Sequence, residues 1–355
     1  MKKVITLLLA MLLFLTVDSD IVASAEELII HYLDVGQADA TILQCGDEVM
    51  MIDGGESADS RLVYSFLTKT LGITHIDYMI ATHPHADHIG GLSGALNACS
   101  VGVVYSPVRS YDSKQFSSLV KYTQKQGRDL TVPEVGDIFF FGDAQVQFLS
   151  PATEYSNIND CSIVVRITHG NNTFLFTGDA EWDAEHDMVD SGYDLSATVL
   201  KVGHHGSDTS SSYVFLREVM PKYAVISCGK DNSYGHPTEA VLSRLCDAGT
   251  QVFRTDLQGD IVCVSDGDEL TFAVEKNADY ESIWQGADSY VPVLPPAYEE
   301  AEKQDSSAAV YIGNKKSHYA SCSSVKDMKE KNMVELNTRE EAIEKGYVPC
   351  KNCNP

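Results

Sequence analysis

Four side chains of the kinds that bind transition metals lie within six residues of one another. They occur in the segment ATHPHADHIGG, directly after the apolar run 78–81, and are His83, His85, Asp87 and His88. Neutral imidazole and carboxylate are ligands that zinc and other borderline metals prefer. On a tight turn after a strand, two of these side chains can face one metal while the other two face a neighbour. A solvated loop with incidental histidines is the alternative, and this density of ligand-type residues argues against it.

The elements that must position this segment alternate between β-rich and helical stretches from residue 26 to residue 275. Several β-rich runs end in polar residues and glycines, as at 53–55, 178–179 and 204–206. A layered α/β fold builds its site from loops at such strand ends. The pattern therefore predicts an α/β fold with strands at 28–33, 49–52, 78–81, 174–177, 199–202 and 224–227, and helices at 61–71 and 238–248.

Six further segments occur in a fixed order around the histidine segment: LDVGQADATIL (33–43), MIDGG (51–55), NDCSIVVRI (159–167), LFTGDAE (175–181), LKVGHHGSDTSSS (200–212) and YGHPT (234–238). With the His-X-His-X-Asp-His signature, they resemble the metallo-β-lactamase superfamily, and in particular the hydrolase domain of ComEC-type DNA-uptake proteins and their free-standing secreted relatives. The resemblance covers nearly all of residues 26–275. It implies an αββα sandwich with two metals at one edge of the sheets.

The resemblance also implies which residues bind these metals. His83 and His85 match the ligands of the first metal, and Asp87 and His88 match ligands of the second. The implied bridging ligand is Asp179, and the implied last ligand of the second metal is His204.

A further ligand of the first metal is less defined, because the superfamily often has a histidine where this chain reads Asn159-Asp160-Cys161-Ser162. His169 lies nearby, but it precedes Gly170-Asn171-Asn172 in an apparent hairpin turn. We favour Asn159 or Asp160 near the metal, with Asn159 as the candidate ligand.

Two acidic residues are candidates for supporting the ligands from behind. Asp53 ends the IDGG strand, where the resemblance implies a carboxylate that orients the metal-binding imidazoles. Asp34 belongs to the DVGQAD segment, in which Ala38 replaces the glycine usual in the family. Turn capping is the alternative for both carboxylates.

The catalytic candidates are Asp87, His205 and His236. The resemblance implies that both histidines face the metals, where either can bind phosphate or protonate a leaving group. A hydrogen-bonded structural role is their alternative. Lys201 can equally steady a phosphate or be solvated.

The charge of the chain limits the choice of substrate. Fifty-one acidic residues against 26 basic ones give a net charge of −25, which excludes a broad electrostatic grip on nucleic acid. Two metals, zinc or manganese, supply the missing positive charge and suit phosphodiester hydrolysis. The resemblance points to DNA as the substrate. The alternatives are a phosphorylcholine, cell-wall or nucleotide phosphodiester, and a DNA-binding protein without activity.

The first 25 residues have the pattern of a secretory signal peptide. Lys2 and Lys3 precede the apolar run 4–17, and the small residues Ala23-Ser24-Ala25 suit cleavage after Ala25. An uncleaved anchor is the alternative, although the run is shorter than the roughly 20 residues a span needs. We expect an extracellular protein, with possible attachment to the cell surface and no integral membrane domain after cleavage.

The C-terminal part changes in composition. Residues 276–309 are rich in proline, acidic and small residues and are predicted to be a linker. Residues 310–355 resemble the small Ada-type metal-binding module. One structural zinc bound by His318, Cys322, Cys350 and Cys353 is the preferred interpretation. A disulfide is the alternative. The six cysteines of residues 26–275 are predicted to be free core thiols.

Overall fold

The computed structural model describes residues 26–151, 153 and 155–276, and the backbone of four short strands beyond them. The predicted signal peptide, the linker from residue 277 onward, Cys322, Cys350, Cys353 and the side chain of His318 lie outside this description. The chain divides into two units, Met1–Ala287 and Asp288–Pro355. In the second unit the four strands form a sheet in the order β18-β16-β17-β19, with β16 Val310–Gly313, β17 Lys316–Tyr319, β18 Val334–Leu336 and β19 Val348–Pro349.

The first unit contains two sheets. The eight-stranded sheet has the order β15-β14-β1-β2-β3-β4-β5-β6, and the seven-stranded sheet has the order β13-β12-β11-β10-β9-β8-β7. Strands of the first sheet are β1 Leu28–Tyr32, β2 Ala40–Cys45, β3 Glu48–Gly54, β4 His75–Ile80, β5 Ser100–Tyr105, β6 Leu130–Thr131, β14 Ile261–Ser265 and β15 Leu270–Val274. Strands of the second are β7 Ile138–Phe141, β8 Ala144–Ser150, β9 Val164–His169, β10 Asn172–Phe176, β11 Val199–Lys201, β12 Tyr223–Ile226 and β13 Gln251–Arg254.

Helices cover the outer face of each sheet. Those on the first sheet are α1 Ser60–Ser65, α2 Ala86–Ile89, α3 Leu92–Ala98 and α4 Lys114–Lys125, with a π-helical turn, Phe66–Thr70, after α1. Those on the second are α5 Trp182–Asp190, α6 Tyr213–Val219 and α7 Glu239–Asp247. The short helix α8, Thr255–Gln258, follows β13.

Alternation along the strands explains the four layers. In β3, Met50 and Ile52 pack between the two sheets, whereas Val49 and Met51 pack under the helices of the first sheet. Successive side chains of a strand point to opposite faces, so a strand that is apolar at every position must be covered on both sides. The result is the predicted αββα sandwich.

The predicted elements are confirmed where the sequence pattern was strong. All six predicted strands are present, and helix 238–248 corresponds to α7. The predicted free thiols are confirmed, and all but the half-buried Cys246 are buried: Cys45, Cys99, Cys161, Cys228 and Cys263. Among the residues that the structure describes, no helix has the length and apolar character needed to cross a membrane.

Candidate metal centre

Three segments carry the candidate ligands to one end of the sheets. The first follows β4 and enters α2, the second follows β10, and the third is the turn Gly203–Gly206 after β11. Strands β3 and β4 are parallel neighbours, as are β10, β11 and β12, so their carboxyl ends point the same way within each sheet. The structure brings together all six histidines and aspartates of the predicted ligand set: His83, His85, Asp87, His88, Asp179 and His204.

Asp179 lies at the centre of these side chains and is 1% exposed. Its Oδ2 atom is 3.7 Å from Nε2 of His83 and 3.7 Å from Nε2 of His204. Its Oδ1 atom is 3.2 Å from Nε2 of His88 and 3.9 Å from Nε2 of His205. The two carboxylate oxygens therefore face two different sets of imidazole nitrogens.

Two groups of donor atoms converge around Asp179 within 4.8 Å. The first group is His83, His85 and Asp179, in which Nε2 of His83 and Nδ1 of His85 are 3.0 Å apart. The second group contains Asp87, His88, Asp179 and His205. His205, considered from sequence as a catalytic residue, thus lies with the donors of the second group, whereas His204 faces the Oδ2 side of Asp179.

Unpaired buried atoms in these groups fit bound cations. Nε2 of His88, Oδ1 of Asp179 and Oδ1 of Asn159 are buried and have no hydrogen-bond partner. Buried polar atoms are otherwise hydrogen-bonded in more than about nine cases in ten. An imidazole nitrogen and a carboxylate oxygen that face each other without a hydrogen bond are a donor set suited to a divalent metal.

His88 is held from behind by Asp53, as the resemblance implied. Nδ1 of His88 lies 2.8 Å from Oδ2 of Asp53. The Asp53 carboxylate also accepts hydrogen bonds from the backbone N–H of Thr82 at 2.8 Å and from the Thr82 hydroxyl at 2.6 Å. A carboxylate at Nδ1 keeps the hydrogen on that nitrogen and leaves the Nε2 lone pair free for a metal.

The backbone around Asp53 explains how this contact forms. Asp53 has φ of 56°, a left-handed conformation that is uncommon for a residue other than glycine. Asp53 directly precedes Gly54. The carbonyl oxygen of Gly54 lies so close to Gly91 that a Cβ atom on Gly91 would have no space. The N–H of Gly91 donates to the carbonyl of Gly55 at 2.9 Å. Glycine in the HIGG segment therefore lets the end of β3 pack directly against the start of α3.

His205 has a second buried support that the sequence analysis missed. Its Nδ1 donates to the carbonyl of Ser227 at 3.0 Å and lies 3.2 Å from Oδ1 of Asp39. Nζ of Lys201 donates to Oδ2 of Asp39 at 2.7 Å and to the carbonyl of Val202 at 3.1 Å. Lys201 is 3% exposed, so it is neither solvated nor free to contact a phosphate. Two residues of the sequence could have indicated this support: Asp39, at the end of the DVGQAD segment, and Lys201, shortly before the HHG segment.

His204 and His205 diverge because both have positive φ, 49° and 54°. The turn directs the His204 ring away from the second group, with its Nδ1 atom 3.0 Å from Oε1 of Glu181. Glu181 also accepts hydrogen bonds from the side-chain amides of Asn159 at 2.9 Å and Asn157 at 3.0 Å. Asn159 thus lies beside His204, with its amide oxygen unpaired.

The structure does not bring the other considered residues to the ligands. The carboxylate of Asp34 accepts from the N–H of Gly36 at 3.4 Å and lies 3.6 Å from Nζ of Lys276, which is a turn-capping arrangement. Asp160 accepts from the backbone N–H groups of Glu181 and Ala184 at the start of α5. The buried ring of His169 contacts the Ser265 hydroxyl and the Glu26 carbonyl instead.

The ionisation states of His83 and Asp179 suit metal binding. Burial lowers the pKa of His83 well below its ordinary value, and the nearby His88 lowers it further, which keeps the ring neutral. Burial alone raises the pKa of Asp179, but His88, His205 and His83 outweigh it and hold this pKa well below its ordinary range. A neutral imidazole and an ionised carboxylate are the forms that bind a metal.

The sequence profile of the metallo-beta-lactamase superfamily matches residues 33–230. The chain belongs to this superfamily, and the two-sheet structure and the ligand clusters agree with that assignment. The family and the donor set together support a metal-dependent hydrolase.

Two curated relatives and one solved structure are similar to the chain. ComE operon protein 3 of Bacillus subtilis is 32% identical over 206 residues, 58% of this chain and 26% of the relative. Competence protein ComA of Neisseria gonorrhoeae is 32% identical over 229 residues, 64% of this chain and 30% of the relative. The chain thus spans between a quarter and a third of these relatives. The metallo-beta-lactamase fold protein YhfI of Bacillus subtilis aligns with 69% of this chain and all of its own, at 15% identity and a TM-score of 0.45.

Proposed function

We propose that this chain is a secreted phosphodiesterase that cleaves DNA with the help of two divalent cations. The observation that carries the proposal is the position of Asp179, whose two buried oxygens face two separate sets of imidazole nitrogens. A carboxylate shared in this way is expected at a centre with two metals. Zinc and manganese both suit the donors.

The unpaired atoms and distances support a division of the ligands between two sites. We assign His83, His85 and Asp179 to the first metal, together with the amide oxygen of Asn159. We assign Asp87, His88, Asp179 and His205 to the second. His204 was expected from the resemblance to bind the second metal, but its Nε2 approaches the Asp179 oxygen that faces His83. In this assignment His204 lies beside the first metal.

Two divalent cations held by these residues would neutralise charge on a phosphoryl group and lower the pKa of a bound water. The residues of this chain have other tasks. Asp53 and Asp39 orient His88 and His205, and Asp87 fixes the second site. His236 lies beside His204, with ring centroids 5.6 Å apart, and is the candidate hydrogen-bond donor to the substrate.

Two observations favour DNA over other phosphodiesters. The similar proteins of Bacillus and Neisseria carry names that refer to competence or to the ComE operon. The DVGQ and HHGS segments resemble the hydrolase domains of DNA-uptake proteins. The acidic composition predicts weak DNA binding without metal, because few basic residues are available to neutralise phosphates.

The test is hydrolysis by the purified chain, stripped with a chelator and reloaded with zinc or manganese. Substrates are single- and double-stranded oligonucleotides, a phosphorylcholine ester, a cyclic dinucleotide and a β-lactam. We expect metal-dependent cleavage of DNA, and its loss in Asp179→Ala. The control Asp183→Ala changes an exposed aspartate four residues away and should leave activity intact.

Other outcomes separate the alternatives. Hydrolysis of the phosphorylcholine ester or the dinucleotide without cleavage of DNA would assign a different substrate to the same site. DNA binding without any hydrolysis would indicate a binding protein. Full activity of Asp179→Ala would show that the proposed centre is not the active site.

The remaining proposals concern the two ends of the chain. We propose cleavage after Ala25, which predicts an extracellular protein that begins at Glu26 by mass spectrometry. We also propose a structural zinc held by His318, Cys322, Cys350 and Cys353. Metal analysis should then find three metals per chain, and two in Cys353→Ser. An unchanged metal content, with a disulfide found by peptide mapping, would exclude the zinc site.

A further inference from the structure

The side chain of Gln37 joins two loops beside the metal centre. Its Oε1 accepts a hydrogen bond from the backbone N–H of Gly229 at 3.0 Å, and its Nε2 lies 3.3 Å from Nδ1 of His236. A backbone N–H can only donate, so it must meet the amide oxygen rather than the amide nitrogen. The orientation of the Gln37 amide is therefore fixed, and its NH₂ group faces His236.

This orientation determines where His236 carries its hydrogen. An amide NH₂ group can only donate, so Nδ1 of His236 must accept. A neutral imidazole has one nitrogen of each kind, and the hydrogen must then be on Nε2. A ring turned by half a rotation would place a C–H group against the amide and leave the half-buried NH₂ group without an acceptor.

The loop that carries His236 is held by Asn232. Oδ1 of Asn232 accepts from the backbone N–H of His236 at 3.1 Å, and its Nδ2 donates to the carbonyls of Gly229, at 2.8 Å, and His236. A Cβ atom on Gly229 would lie 2.8 Å from the backbone nitrogen of Gln37, so glycine is required for this close approach. The DVGQ segment therefore packs directly against the loop that carries His236.

The ring of His236 lies at the edge of the candidate metal centre. The ring lies beside His204, and no group in the described part of the chain hydrogen-bonds its Nε2. We propose that Gln37 is a positioning residue that holds His236 as an Nε2–H donor to an anionic oxygen of a phosphate in the centre. This inference rests on the proposed function for its substrate class. Within the DVGQ segment, Gln37 is therefore the residue that acts on the centre through His236, whereas Asp34 caps a turn.

The test uses zinc-loaded protein with ¹⁵N-labelled histidine, in which NMR reports the hydrogen on each ring nitrogen. We expect His236 to carry its hydrogen on Nε2, with a shift of this signal when inorganic phosphate is added. Gln37→Glu places two acceptor oxygens against Gly229 and His236 and should move the hydrogen to Nδ1. Gln37→Leu should give a mixture of both forms.

A matched control is Gln44→Glu. Gln44 lies on β2, beside the strand β1 that carries another histidine, His31, so the same change of charge leaves His236 unaffected. His236→Phe should weaken phosphate binding about tenfold, the value of one hydrogen bond to a charged group.

The outcomes distinguish this inference from the proposed function. A hydrogen on Nδ1 of wild-type His236, or an unchanged tautomer in Gln37→Glu, would overturn the inference whether or not DNA is cleaved. Phosphate binding that does not shift the Nε2–H signal would also overturn it. If the expected NMR pattern and phosphate response appear but no DNA is cleaved, the role of Gln37 stands and the DNase proposal fails.

Discussion

The two ligand groups that share Asp179 differ in what lies behind their histidines. In the second group, His88 contacts the buried Asp53, and His205 contacts the Ser227 carbonyl and the buried Asp39. In the first group, Nδ1 of His83 faces only the Thr82 hydroxyl at 3.2 Å, and His85 is half-buried.

This difference predicts unequal metal affinity. A carboxylate or carbonyl behind an imidazole fixes its tautomer and increases its basicity, and loss of such a partner typically costs 10–100-fold in metal affinity. The second group has two such supports, whereas a hydroxyl provides the only hydrogen bond behind His83. Stepwise chelation should therefore remove the first metal before the second. A compact sequence motif can thus supply candidate ligands to both sites, whereas residues from remote segments determine the metal affinity of each site.

The largest effect is expected when a ligand of the second group is removed. His88→Ala should bind one metal fewer per chain than the wild type and lower DNA cleavage about a thousandfold or more, since a metal contributes several kcal/mol of charge stabilisation. Metal analysis and kinetics check both values. His75→Ala is the control, because His75 is an exposed histidine paired with Asp77 outside the centre. A metal content equal to that of the wild type in His88→Ala would contradict the ligand assignment.

The next effect concerns the buried ion pair behind His205. Although burial opposes ionisation, Lys201 and His205 hold the pKa of Asp39 well below its ordinary range. Lys201→Met leaves this carboxylate without its ammonium partner and should lower the free energy of unfolding by about 3–5 kcal/mol. Denaturant titration measures the loss.

Two variants test the cause of this destabilisation. Asp39→Asn combined with Lys201→Met removes both charges and should restore part of the stability. Lys222→Met changes an exposed lysine directly before β12 and should cost little. Equal stability of Lys201→Met and the wild type would show that the pair does not support this side of the centre.

The sequence indicated the candidate ligands and the support Asp53, but not the support behind His205. His83, His85, Asp87 and His88 were evident because four residues of ligand type fall within six positions, and Asp179 was implied by the resemblance to the superfamily. Their spacing is local, so the turn alone brings them together.

The support behind His205 was missed because it depends on contacts between remote segments. Asp39 and Lys201 are separated by 162 positions and meet only when the two sheets pack. Asp34 and Asp39 are both acidic residues of DVGQAD, and only the tertiary structure distinguishes the turn cap from the partner of Lys201. The divergence of His204 and His205 arises from two successive positive φ values, which no residue type in that turn signals.

A pH effect is expected in the loop that follows His205. The Glu185 carboxylate accepts hydrogen bonds from the backbone N–H groups of Ser211 and Ser212, and burial raises its pKa to about 7. The folded state then binds more protons than the unfolded state between the unfolded pKa, about 4.3, and pH 7. Stability from this group therefore falls as pH rises through that window.

The change should reach about 4 kcal/mol, because one pKa unit corresponds to about 1.4 kcal/mol. The measurement is the difference in unfolding free energy between the wild type and Glu185→Gln across pH 4–8. A difference that does not vary with pH would show that Glu185 is ionised normally. That outcome would also weaken the view that the second group rests on a buried framework.

The smallest effect tests the comparison of the two groups most directly. Asp53→Asn retains the shape of the side chain but replaces one oxygen with an NH₂ group. If this group faces His88, Nδ1 must accept and Nε2 must carry the hydrogen, which blocks metal binding at the second site. We expect about 10–100-fold weaker binding of the second metal and little change at the first. Chelator titration should then show both metals leaving together or in reversed order.

Asp77→Asn is the matched control, because Asp77 also lies beside a histidine, His75, at 3.4 Å. If the two metals leave Asp53→Asn in the same order as they leave the wild type, the buried carboxylate does not cause the difference in metal affinity between the sites. The metal itself would then determine the tautomer of His88.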